Sequence, residues 1–182
     1  MPIAGCGATL IDLLSTRLAS SGGLGAYTVA LTSPQELSRD IQDRVGLILY
    51  RVDAEPTRRH LLPAHAGTAG DLPQAPAPTA TPRPPAAPSR PALRLELRYL
   101  LAVWGHGRAA DEQGMLGRCM QILDRNAVIS GALLATGYLW EPEQTLSVSV
   151  DALTTTELAQ LWTGWAGGRP LSVPYIVRNV RI

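Results

Sequence analysis

Apolar and charged residues alternate over LRLELRY (residues 93–99), and an unbroken apolar run, LLAVW (100–104), follows directly. Successive side chains of a β-strand point to opposite faces, so strict alternation predicts a strand with one apolar and one polar face. The apolar run predicts that both faces are covered farther along the same strand. The polar face of the first part carries Arg94, Glu96 and Arg98.

Four other segments have the alternation or the residue types of strands. VGLILYRVDAE (45–55) has apolar residues on both sides, which predicts an interior strand. One of its sides carries Val45, Leu47, Leu49 and Arg51, and the other carries Ile48, Tyr50 and Val52. The four segments are AYTVALT (26–32), VGLILYRVDAE (45–55), TLSVSV (145–150) and VPYIVRNVRI (173–182).

The closing segment also alternates. We expect two opposite faces along it, with the charged residues near its end exposed. One face carries Val173, Tyr175, Val177 and Asn179, and the other carries Ile176, Arg178, Val180 and Ile182.

Two segments at the start of the chain have helical signals. GATLIDLLSTRLAS (7–20) is predicted to be an amphipathic helix that SSGGLG ends, because its apolar residues recur at the spacing of one helical face. Ser33 as N-cap, Pro34 at the first helical position and Glu36 as the partner of a capping box predict one short helical turn. The apolar face of the first helix carries Leu10, Ile11, Leu14 and Leu18.

Two further helices are predicted in the second half of the chain. DEQGMLGRCMQILDRNAVI (111–129) has a broad apolar stripe and Asp111 as its cap. Gly114 and Gly117 lower its helix propensity, which predicts close packing against another backbone. ELAQLWTGWA (157–166) begins at a Thr154 and Glu157 capping box, and GGRP ends it. The stripe of the long helix comprises Met115, Leu116, Cys119, Met120, Ile122 and Leu123, and that of the short one Leu158, Leu161, Trp162 and Trp165.

Nine of the 15 prolines lie between Pro63 and Pro91, with few large apolar residues among them. Such a segment cannot bury enough surface to offset its ordering entropy, so we predict a flexible Pro/Ala-rich loop over 63–92. The strands on either side of it are expected to be neighbours. The whole pattern predicts one α+β domain over 1–182, with a mainly antiparallel or mixed sheet flanked by helices.

Composition removes several classes of function. The net charge of +1 provides no field that would attract nucleic acid or anionic lipid, and the chain contains no lysine, which excludes a Schiff-base enzyme and a P-loop. Cys6 and Cys119 lack the spacing of a disulfide framework and are expected to be buried thiols in a reducing compartment. With no basic leader and no apolar run of transmembrane length, we expect a cytoplasmic protein.

The candidate chemistry is sparse. Cys6, His60, His65, His106 and Cys119 lack zinc-ligand spacing, so no metal or cofactor is expected. Asp111 and Glu112 could form an acid/base pair, but carboxylates in a first helical turn more often serve the helix start. Arg58 and Arg59 form a small basic cluster, and four dispersed tryptophans are expected to be core residues rather than a stacking platform for bases. We therefore predict no catalytic residue.

The order of motifs resembles the tail-terminator, or cap, family of phage-like extracellular contractile injection systems of the antifeeding-prophage type. The resemblance rests on LYRV, on the L-x-L-x-YLL strand, on the E-Q-x-x-LGR-x-x-Q-x-L helix and on LW…RP-x-S-x-x-Y-x-V-R-x-V-x-I. It covers nearly the whole chain except the Pro/Ala-rich loop. Some family members carry additional C-terminal sequence; because the sequence here ends at VRNVRI, we expect no function of such an extension.

The resemblance implies a structural assembly protein. Family members form a six-fold ring on the baseplate-distal end of the particle, contact the last tube and sheath layers and stop polymerisation. The implied partners are other copies of the chain and the tube and sheath proteins, without nucleic acid or membrane. An alternative is an adaptor that recruits a partner through the proline-rich loop. The candidate interface residues are Arg94, Glu96, Arg98, Arg118, Gln121, Arg125, Arg178 and Arg181.

Overall fold

The structure is a computed structural model, and it describes residues 1–22, 25, 27–37, 41–55, 93–105, 107–163 and 169–182. The helices are α1 (Pro2–Ser20), α2 (Ala109–Arg125) and α3 (Thr155–Trp162), with 3-10 turns at Pro34–Glu36 and Gly131–Leu133. The strands are β1 (Thr28–Leu31), β2 (Arg44–Ala54), β3 (Arg94–Trp104), β4 (Val128–Ser130), β5 (Thr145–Val150) and β6 (Leu171–Arg181).

The six strands form one sheet in the order β1-β2-β3-β6-β5-β4. The β1–β2 pair is parallel and the other pairs are antiparallel, so the prediction of an α+β fold with a mixed sheet is confirmed. The expected neighbours on either side of the Pro/Ala-rich segment do pair, with Leu47 opposite Leu101. The predicted loop 63–92 itself lies outside the described residues.

The main core lies between one face of the sheet and the helices α1 and α2. The odd-numbered residues of β3 from Leu95 to Val103 all point into it, as the alternation predicts. Leu14 of α1 and Cys119 of α2 are fully buried against this face. The two cysteines therefore act as small apolar core residues, as predicted. No described helix combines the length and apolarity that crossing a bilayer requires.

The opposite sheet face is covered over only part of its area. Its smaller core includes Ile48, Leu100 and two tryptophans, Trp104 and Trp162, whose rings meet edge to face with centroids 6.5 Å apart. These two tryptophans are core residues, as predicted, and α3 carries the second of them. Trp165 lies outside the described residues. The uncovered part of this face is the candidate site considered below.

Two β-bulges change the predicted faces. Between Leu49 and Arg51 the register of β2 shifts, so Arg51 pairs with Arg98 on the partly covered face instead of joining Leu47. In β6 a second shift lies near Asn179, whose φ is +65°, and Val180 turns into the main core opposite Leu95. Both predicted alternations were wrong beyond these points, because one extra residue reverses every later side chain.

Helix α2 also differs from its prediction. It begins at Ala109, so Asp111 lies within the first turn and is not the cap. It ends at Arg125, where the Asn126 side chain donates to the Ile122 carbonyl over 2.7 Å. The following residues form β4, which pattern reasoning missed because it is only three residues long.

The glycines of α2 do not mark close packing. A Cβ placed on Gly114 or Gly117 would meet no atom within 4 Å. The expectation of backbone contact there was wrong. Both predicted capping boxes are present, with Ser33 N donating to Glu36 Oε2 over 3.1 Å and Thr154 N donating to Glu157 Oε2 over 2.8 Å.

Thiol labelling tests the buried core. Burial raises the pKa of Cys6 and of Cys119 to about 12, so at pH 8 only about one thiol in ten thousand is a thiolate. We expect iodoacetamide to leave both unlabelled in the folded protein and to label both in urea, as read by mass spectrometry. Ala19→Cys, at an exposed position of α1, should label rapidly in the folded state. Rapid labelling of the native cysteines in the folded protein would contradict this packing.

Candidate interaction surface

The uncovered part of the sheet carries a group of charged side chains. The outward positions of β2, β3 and β6 change here from apolar to charged residues, which the alternation in β3 anticipates. We call this group the charged patch. It comprises Arg51, Asp53, Glu96, Arg98, Asp151 and Arg178.

The strand register places like charges side by side in the patch. Arg51 lies opposite Arg98, and Asp53 lies opposite Glu96. Directly opposed like charges destabilise a sheet, so these pairs depend on contacts with opposite charges along the same strand and diagonally across strands. Arg51 Nε lies 2.8 Å from Asp53 Oδ2, and Arg98 Nε lies 3.1 Å from the same oxygen. Hydrogen bonding from Arg51 is the main cause of the lowered pKa of Asp53.

Arg98 is the centre of the patch. It pairs with Asp53 on the neighbouring strand and with Asp151, which follows β5. The hydrogen bond to Asp151 is the main cause of a raised pKa of Arg98. Tyr50 OH donates to the same Asp151 carboxylate over 3.1 Å, and burial followed by the nearby Asp151 charge raises the pKa of Tyr50 to about 12. Arg98 therefore ties β2 and β3 to the segment that leads into α3.

A second branch of the patch reaches β6. Arg178 Nε donates to Glu96 Oε1 over 3.0 Å, and Arg178 Nη1 lies 3.0 Å from Ser149 Oγ. Glu96 Oε2 lies 3.9 Å from Arg98 Nη2, so the two branches meet. Three arginines face three carboxylates, and the patch as a whole is neutral. Its charges are thus mostly used within the chain.

The eight predicted interface residues lie on two separate surfaces. Glu96, Arg98 and Arg178 belong to the charged patch, and Arg94 lies opposite Arg181 at the end of the same face. The other three, Arg118, Gln121 and Arg125, are exposed on α2, across the sheet. The structure does not bring the two sets together. Whether either set contacts a partner stays a prediction.

The residues considered as possible catalytic groups have structural roles where the structure describes them. Glu112 Oε1 accepts from Gly105 N over 3.2 Å, at the start of α2, and Asp111 is an exposed first-turn residue. Within the described ranges no three His, Cys, Asp or Glu side chains could hold a metal ion together. The three histidines and the Arg58–Arg59 cluster lie outside the described residues.

Sequence reasoning identified Glu96 but missed the other two carboxylates that balance the patch, Asp53 and Asp151. Asp53 was not assigned to this face because the bulge in β2 is not visible in the alternation. Asp151 lies 53 residues from Arg98 in the chain, and only the strand order brings the two together. An acidic residue directly after a predicted strand was the one available signal.

Two arginine substitutions separate the buried centre of the patch from its rim. We expect Arg98→Met to lower the free energy of unfolding by about 3 kcal/mol, because the Asp151 side chain, 11% exposed, loses its cation. Arg51→Met is the matched control and should cost less than about 1 kcal/mol, because the Arg51 side chain is 62% exposed. Urea denaturation measures both. Equal losses would contradict the central role of Arg98.

Comparison with known proteins gives a family match and a fold match. The family model of the Pvc16 N-terminal domain matches residues 6–182. The fold is similar to a solved structure described as the PVC sheath/tube terminator of an extracellular contractile injection system in its extended state, with a TM-score of 0.58 and 13% sequence identity. The match covers 99% of this chain and 56% of that chain, so this chain spans just over half of its length. No curated protein matches.

Proposed function

We propose a structural assembly function for this chain, which belongs to the Pvc16 N-terminal domain family. In this proposal the chain caps the baseplate-distal end of a contractile injection system, binds the last tube and sheath layers and ends their polymerisation. The observation that carries the proposal is the fold shared over 99% of the chain with a sheath/tube terminator. The family match over residues 6–182 supports it independently of that structure.

Termination requires a subunit that binds the growing end and does not present a copy of that end on its other side. A subunit that bound a growing end and offered the same surface again would extend the polymer instead of ending it. Here one side of the sheet is covered by α1 and α2, whereas the other carries α3 and the charged patch, whose net charge is zero. A contact made through one side of the sheet is therefore not offered again on the other side.

We propose that copies of the chain form a six-fold ring on the tube end. A ring forms when each copy contacts the next through two different surfaces and the rotation between successive copies closes on itself. Six modest contacts, made together, then hold the cap through avidity without any single strong interface. The role is structural rather than enzymatic, and it requires no cofactor.

The candidate interface residues have different roles in this proposal. Glu96, Arg98 and Arg178 are occupied by ion pairs within the chain, so we assign them chiefly to shaping the sheet face. Gln121 and Arg125 are exposed on α2 and suit a protein contact of the ring or of the tube. Arg94 and Arg181, with Arg118, complete the set that we propose for these contacts.

Deletion of the gene tests the proposed function. Particles assembled without the chain should show a broader length distribution, because nothing then stops polymerisation, or should lack the cap structure at one end. Negative-stain electron microscopy measures the lengths, and the wild-type gene returned on a plasmid should restore them. Unchanged lengths and particle yield in the deletion strain would contradict the proposal.

A deletion variant distinguishes the proposed cap function from the alternative adaptor function. The chain lacking residues 66–90 should restore particle length as well as the wild type does, because a cap acts through its folded domain. If that variant failed to restore length and also lost a binding partner, the adaptor function would be favoured instead.

A further inference from the structure

The loop between β4 and β5 forms an open groove of about 600 Å³ that no part of the proposed function uses so far. Its walls include two aromatic rings, two carboxylates and one buried amide. We call it the acidic groove and define it by Tyr138, Trp140, Glu141, Glu143 and Gln144.

The aromatic wall of the groove is held firmly against α1. Trp140 Nε1 donates to the Ala135 carbonyl over 2.9 Å, and Ala135 N donates to the buried Thr9 Oγ1 over 2.9 Å. The ring of Trp140 lies so close to Gly5 that a Cβ there would come within 2.7 Å of it. Because these contacts fix the wall, a bound group would not have to order it.

Gln144 gives the groove an unused hydrogen-bond acceptor. Its side chain is 3% exposed, and Nε2 donates to the Asn179 carbonyl over 2.6 Å and to the Thr145 carbonyl over 2.9 Å. These two bonds fix the orientation of the amide. Oε1 is itself buried and has no hydrogen-bond partner, which is unfavourable. An N–H donor of an occupant would satisfy it only where the occupant displaces the lining that covers this atom.

The rim of the groove selects a cation. Glu141 and Glu143 are exposed, and none of the residues that line the groove is basic. A guanidinium group combines positive charge and several N–H donors with a planar face that stacks on Trp and Tyr rings. Beside these rings Leu139 is 85% exposed, which suits contact with a polypeptide.

We propose that the acidic groove receives an arginine side chain from the next copy of this chain. All 16 basic residues of the sequence are arginines, so a second copy can offer no other cation except a histidine. Contact of a groove on one copy with an arginine elsewhere on the next joins two different surfaces, which is the arrangement a ring needs. The inference rests on the proposed ring and names its contact.

Photo-crosslinking tests the occupant of the groove. Leu139→p-benzoylphenylalanine places the probe beside the aromatic wall, and irradiation of purified particles and of the concentrated free chain should give a dimer of this chain. Mass spectrometry of the dimer, after digestion with a protease that does not cut at arginine, should place the crosslink directly beside an arginine. A crosslink to the tube or sheath protein, or no crosslink in particles that contain the chain, would overturn the inference.

Removal of the rim charges supplies the second measurement. In the probe background, E141Q/E143Q should lower the dimer yield about tenfold, because two charge-assisted hydrogen bonds are lost. D12N/D124N removes two exposed carboxylates on α1 and α2 and should leave the yield unchanged. Thermal melting checks that both variants fold. Equal yields for the two variants would overturn the inference. The proposed function is tested separately, since it fails if the wild-type chain is absent from purified particles. In that case the crosslink formed by the free chain still shows whether the groove receives an arginine of a second copy.

Discussion

Strand β3 must be buried along the whole of one face but along only half of the other, and the rest of the molecule is arranged around this constraint. Its inner face receives α1 and α2. Its outer face is apolar at Leu100, Ala102 and Trp104, where α3 supplies Trp162. Arg98 lies at the boundary, and its pairing with Asp151 lets a charge lie next to an apolar core. The result is a sheet with one side buried under helices and one side that is partly apolar and partly charged.

Local signals in the sequence predicted much of this arrangement. The alternation of β3, the capping box at Thr154 and the burial of Cys6 and Cys119 each depend on neighbouring residues or on simple periodicity, and all are present. What pattern reasoning could not supply depends on register. Neither the bulge before Arg51 nor the one near Asn179 leaves a mark in the alternation.

The candidate site was harder to predict than the fold for the same reason. The charged residues of β3 were identified, but their partners come from β2, β6 and the residue after β5, which only the strand order brings together. The acidic groove includes Gln144, which directly precedes β5 and donates to the Asn179 carbonyl on the neighbouring strand β6. Internal ion pairing also changes the meaning of the predicted residues, since Arg98 stabilises the sheet itself.

We propose that this chain, a member of the Pvc16 N-terminal domain family, ends a contractile particle at one pole. The fold that it shares with a sheath/tube terminator supports this proposal. Electron microscopy of assembled particles with a label on this chain is the most direct measurement. The account predicts label only at the end far from the baseplate, and label along the sheath or at the baseplate would contradict it.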